Sequence, residues 1–80
     1  MVFKGTIGSA NSNTITSVPT NGYLIGWTYK VTDSATYAGY ACEPGDLLIA
    51  IEDGPETGTT VTNGHWTVVQ TNIDGAVTSP

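Results

Sequence analysis

Trp27-Thr28-Tyr29-Lys30-Val31-Thr32 is the stretch that decides the fold. Trp27, Tyr29 and Val31 alternate with Thr28, Lys30 and Thr32, the two-residue period of a half-buried strand and not the 3.6-residue period of a helix. Aromatic and β-branched residues suit a pleated surface. Nowhere in the 80 residues do apolar side chains recur at helical spacing for two turns. The expectation is an all-β fold, a small antiparallel β-sandwich or barrel-like domain.

Further strands are read outward from that run. Residues 2–7 form a short first strand, with Phe3 and Ile7 on one face. Residues 47–51 are apolar on both faces and predict a central strand. Residues 65–71 set Trp66 and Val68 against Thr67 and Val69, and residues 35–40 give a shorter strand. The turns have their own chemistry. In Glu43-Pro44-Gly45-Asp46, proline pre-sets the first central position of a type II turn and glycine accepts the positive φ of the second. Asn63-Gly64 signals a type I′ hairpin pairing residues 60–62 with 65–67. Residues 19–22 form another turn, and Asp53-Gly54-Pro55 ends the central strand and opens a mobile stretch to Gly58.

One domain is expected overall: residues 1–22 as a first strand and extended arm, residues 23–80 as the compact part. The arm is rich in Ser, Asn and Thr, with Ile15 and Val18 as its anchors. It serves either as a linker or as a strand laid on a neighbouring chain.

Composition narrows the function. Two lysines, Lys4 and Lys30, face seven acidic residues, and the net charge is -5. Nucleic acid and anionic membrane are excluded as partners, because phosphate binding needs clustered cations. Charged residues are 11 % of the chain, against roughly 25 % in an average soluble domain. None occurs between Gly5 and Tyr29. A chain this short buries only roughly 60 % of its surface. Small domains reinforce themselves with disulfides, metals or oligomerisation. Cys42 is the only cysteine, read as a small buried hydrophobe, so oligomerisation is the expected reinforcement. The longest apolar run, residues 47–51, is far short of a membrane span. Lys4 precedes glycine, threonine and serine, so no signal peptide is read.

Catalytic chemistry is sparse, and no enzyme is expected. His65 reads as an exposed polar residue at a hairpin edge. Cys42, His65 and Asn72 are the residue types of a cysteine protease without any such spacing. Glu52, Asp53 and Glu56 share one loop but lack the alternation of a calcium loop, so no metal or cofactor is expected. Trp27 and Trp66 read as core. Tyr37 and Tyr40, flanking Gly39, are candidates for ligand binding or subunit contact.

Three segments, Thr28-Tyr29-Lys30-Val31-Thr32, Tyr37-Ala38-Gly39 and residues 42–50, resemble a module of bacteriophage and prophage fibre proteins, head-fibre and tail-fibre structural proteins among them. The ending of residues 65–77, the opening Lys4-Gly5-Thr6-Ile7-Gly8 and Pro19 are similar to it too. The resemblance covers most of residues 26–77, with a gap at the variable loop 54–63. The Pro-Gly-Asp turn is common in β-proteins, and the Trp66 ending at its distance behind that turn is the more specific part. Within this module Trp27, Tyr29, Pro44, Gly45, Asp46, Trp66 and Gly75 are read as structural residues. The resemblance implies a homotrimeric appendage made in the bacterial host cytoplasm and displayed on the virion surface, bound to other virion proteins and contacting the host, with a bacterial surface glycan as a candidate ligand. The alternative is a carbohydrate-binding β-module working alone. The Pro44-Gly45 turn also resembles those of lipoyl and biotinyl carrier domains, but neither lysine lies at such a turn.

Overall fold

A computed structural model of the chain describes residues 1–8 and 14–70. The described residues form strands β1 (Val2–Ile7), β2 (Thr14–Ile15), β3 (Trp27–Val31), β4 (Ala35–Tyr37), β5 (Tyr40–Cys42), β6 (Leu47–Ala50) and β7 (Trp66–Val69), with a 3-10 turn at Asn63–His65. None of them is α-helical, and the fold is all-β. Asn72, Gly75 and the rest of the expected 65–77 ending beyond residue 70 lie outside the described residues.

Five strands make one sheet in the order β2-β1-β3-β6-β7, and β4 and β5 form a separate hairpin. β6 runs antiparallel to β3 and β7. β1 runs parallel to both β2 and β3. The sheet is therefore mixed, not wholly antiparallel as expected. The chain between Ile7 and Trp27, which contains β2, returns to the end where β1 began, so β3 starts beside Val2 and runs parallel to β1.

The Glu43–Asp46 turn forms as expected. The Asp46 N–H donates to the Glu43 carbonyl at 3.1 Å, and Gly45 takes φ 99°. It delivers the chain into β6, an interior strand. Three other features differ from expectation. Phe3 pairs with Thr28 and Gly5 with Tyr29, so Lys4 is an extra residue, a β-bulge. The bulge reverses the alternation, and Phe3 and Ile7 lie on opposite faces: Phe3 is 63 % exposed, Ile7 fully buried. Residues 35–40 are not one strand. They fold back at Ala38 (φ 52°) and Gly39 (φ 84°), bringing Tyr37 opposite Tyr40. Positive φ at both central residues is the type I′ signature. Asn63-Gly64 makes the 3-10 turn instead, closed by the His65 N–H on the Thr62 carbonyl at 3.0 Å. Residues 60–62 form no strand. β7 takes β6 as its partner, and that ladder continues to the Ile51 N–H on the His65 carbonyl at 2.7 Å.

The stretch after β6, expected to be mobile, is tied to residues 20–26. Gly26 N–H donates to the Ala50 carbonyl, Gly54 N–H to that of Tyr23 and Gly22 N–H to that of Pro55, all within 2.8 Å. The Ile25 N–H donates to Asp53 Oδ1 at 2.8 Å, and the Thr20 hydroxyl and Asn21 amide both donate to the Gly58 carbonyl. Asp53 thus acts as an acceptor that fixes a loop.

The pairing register sorts the side chains. Ile7, Ile15, Tyr29, Val31, Leu48, Ala50, Trp66 and Val68 share one face. There they meet Val18 and Tyr23 from the loop and Tyr37, Ala38 and Cys42 from the hairpin, and together these form the core. The Trp66 ring is tilted against Tyr23 at 4.8 Å and Tyr29 at 6.3 Å. Gly54 lies under Tyr23, where an added Cβ would come 2.6 Å from the ring. Gly54→Ala is expected to displace Tyr23 and cost about 1–3 kcal/mol, the range for overpacking a filled core. Urea unfolding of the purified protein checks this, and an unchanged midpoint would refute the packing described.

Candidate functional site

The expected surface aromatics separate. Tyr37 is buried on the hairpin, its hydroxyl donating to Asp33 Oδ1 at 2.8 Å. Tyr40, opposite it in register, is 43 % exposed. Flanking Gly39 makes both candidates for ligand binding or subunit contact, and the turn at Ala38-Gly39 leaves only Tyr40 at the surface. Trp66 is in the core. Trp27 is only half-buried and packs on the core margin with the Lys4 ammonium 4.2 Å from its ring centre, a cation–π contact. Tyr29 is buried between Trp66 and the rest of the core face.

His65 is not the free hairpin residue expected. It is half-buried, its Nδ1 is hydrogen-bonded to the Tyr23 hydroxyl at 2.9 Å, and its ring meets Tyr23 edge-on. Failure of the Asn63-Gly64 hairpin explains this, since the 3-10 turn directs His65 toward the loop and not to an edge. Cys42 is buried. Its thiol lies 3.4 Å from the Tyr40 carbonyl, to which it donates. Burial pushes its pKa up, a backbone hydrogen bond at Tyr37 lowers it, and the charges of Asp46 and Asp33 raise it again. The net effect holds the sulfur as a thiol, the form unsuited to nucleophilic attack. Among the described residues no three His, Cys, Asp or Glu side chains gather as metal donors. No described helix is long and apolar enough to cross a membrane.

Asp46 is fully buried. Its Oδ2 accepts the Glu43 N–H at 2.9 Å, which locks the turn that Pro44 and Gly45 begin. Its Oδ1 and the Trp66 indole N–H have no hydrogen-bond partner among the described residues. A cleft of about 360 Å³ lies beside the hairpin, lined by residues that include Thr36, Cys42, Glu43 and Gln70. Among its described lining residues Glu43 is the one charged side chain.

The largest unassigned feature is the second face of the sheet. Phe3, Thr28, Ile49 and Thr67 form one cross-strand row, and Thr14, Thr6, Lys30, Leu47 and Val69 the next. None of the apolar members belongs to the core cluster or packs on it. Reading the sequence by alternation located most of these residues but not their common face, because the Lys4 bulge moved Phe3 onto it. No family model, curated protein or solved structure matches the chain.

Burial, then the hydrogen bond to Asp33 and the charges of Asp33 and Cys42, push the Tyr37 hydroxyl up to about 12, and burial shifts Tyr29 in the same direction. An unfolded chain ionises its tyrosines near about 10. The stabilisation from keeping Tyr37 protonated is therefore complete below pH ~10 and is lost as pH climbs to ~12. Unfolding midpoints should fall across that window, and Tyr37→Phe should flatten the fall. A parallel decline in both proteins would show that Tyr37 does not carry it.

Proposed function

We propose that this chain is a structural module of a bacteriophage fibre or spike, a homotrimer displayed on the virion surface, held to other virion proteins and contributing to host attachment. The observation that carries this reading is a sheet with apolar side chains on both faces and a core on only one of them. Such a chain suits assembly with its own copies, three such faces turned toward a common axis to make a shared apolar interior that one chain leaves uncovered. The scarcity of charge supports the same reading, because surface destined for an interface needs little solvation.

The similarity to fibre modules rests on residues with visible structural work. Gly45 and Asp46 close the turn into β6, Tyr29 and Trp66 fill the core face, and Trp27 guards its margin. Host attachment would use the exposed Tyr40 beside the hairpin cleft, with a bacterial surface glycan as ligand. A carbohydrate-binding module acting alone is less well supported: Tyr23, Tyr29, Tyr37 and Trp66 are buried, and Tyr40 would be the platform's one exposed tyrosine among the described residues. The role is structural and binding, not catalytic.

Light scattering coupled to size-exclusion chromatography tests the assembly. The expected mass is three times that of the 8.3 kDa chain. A folded monomer at every concentration tried would remove the basis for the fibre reading.

A further inference from the structure

We propose that the open face of the sheet, centred on Phe3, Thr6, Lys30, Leu47, Ile49 and Val69, is covered in solution by the same face of other copies of this chain. This rests on the fibre reading and goes further, naming the surface that would hold the copies together.

The choice of occupant follows from charge. The chain carries -5 overall, so two copies repel wherever their acidic surfaces meet. Asp33, Glu43, Asp46, Glu52, Asp53 and Glu56 all lie outside the five strands of the sheet. Among the described residues the open face therefore holds no carboxylate and a single cation, Lys30. It is where copies approach with least repulsion. An acidic protein or a nucleic acid would need a cluster of cations there, and one lysine does not make a cluster.

The hydroxyl groups fit a dry contact. Thr6 and Thr14 share a hydrogen bond of 2.7 Å, and the Thr28 hydroxyl donates to the Gly26 carbonyl at 3.0 Å. Two hydroxyl protons of this face are thus bound within the chain, which lowers the cost of covering it. Between them stand Phe3 at 63 % and Val69 at 45 % exposure, with Leu47 and Ile49 half-buried. These are apolar surfaces whose burial favours association. Lys30 has a stem long enough to lie along the face while its ammonium reaches the rim.

Sedimentation of the wild-type chain, Ile49→Glu, Val69→Glu and Tyr40→Glu decides the matter, with near-ultraviolet circular dichroism confirming that each is folded. Val69 is at the sheet edge and half exposed, so its variant keeps the test open should Ile49→Glu unfold. An unpaired carboxylate on the covered face should raise the dissociation constant by about tenfold or more. Tyr40→Glu, off that face, should leave it unchanged. Added salt should strengthen wild-type association, since it screens the net repulsion and leaves apolar burial intact. Wild-type association that both sheet variants retain would overturn this surface while leaving the fibre reading in place. A monomeric wild type would overturn both.

Discussion

The loops of this protein fold onto the ring of Trp66. Tyr23 lies against it from the loop before β3, Tyr29 from the centre of the sheet, and the Tyr23 hydroxyl extends the contact to His65. Two buried tyrosines packed against one buried tryptophan supply much of the apolar area that so short a chain can bury. The hydrogen bonds that zip residues 20–26 to residues 50–58 depend on Tyr23 being held there, because Gly54 passes directly beneath its ring. The two loops, the sheet and the edge strand β7 thus share one anchor.

That anchor determines which side of the sheet becomes the interior. With both loops and the β4–β5 hairpin committed to the Trp66 face, no described segment is left to cover the other. The strands nonetheless place Leu47, Ile49, Phe3 and Val69 there. A solitary domain would be expected to carry charge on such a face. Here the strands offer threonine and aliphatic residues, with the carboxylates gathered in the loops.

Much of this was legible in the sequence. β3 and β7 announce themselves by alternation, β6 by being apolar on both faces, and the Pro44-Gly45 turn by the two residues it requires. What was not legible turned on single backbone choices. The Lys4 bulge leaves no clear trace in composition, yet it moves Phe3 to the opposite face. Ala38-Gly39 is a weaker type I′ signal than Asn63-Gly64, but the chain turns at the first and not the second. The cause is tertiary: Tyr37 and Cys42 are both needed in the core, and a continuous strand through Ala38 would not bring both there. Asn63-Gly64 makes a 3-10 turn instead, and Val61 just before it packs against the core, so residues 60–62 do not extend beside β7. The core side of the candidate surface was readable residue by residue; the open side needed the register.

The two faces obey different demands. On the core side, position matters to within a methyl group, as the clearance under Tyr23 shows. On the open side Thr6 and Thr14 share one hydrogen bond and the Thr28 hydroxyl is turned back to the Gly26 carbonyl, so no described carboxylate or large polar group stands among the aliphatic side chains. The described carboxylates all lie in loops and turns, and the only charged side chains on the strands are Lys4 and Lys30; the connection from Gly8 to Gly26, which carries no charge at all, instead lends Val18 and Tyr23 to the core.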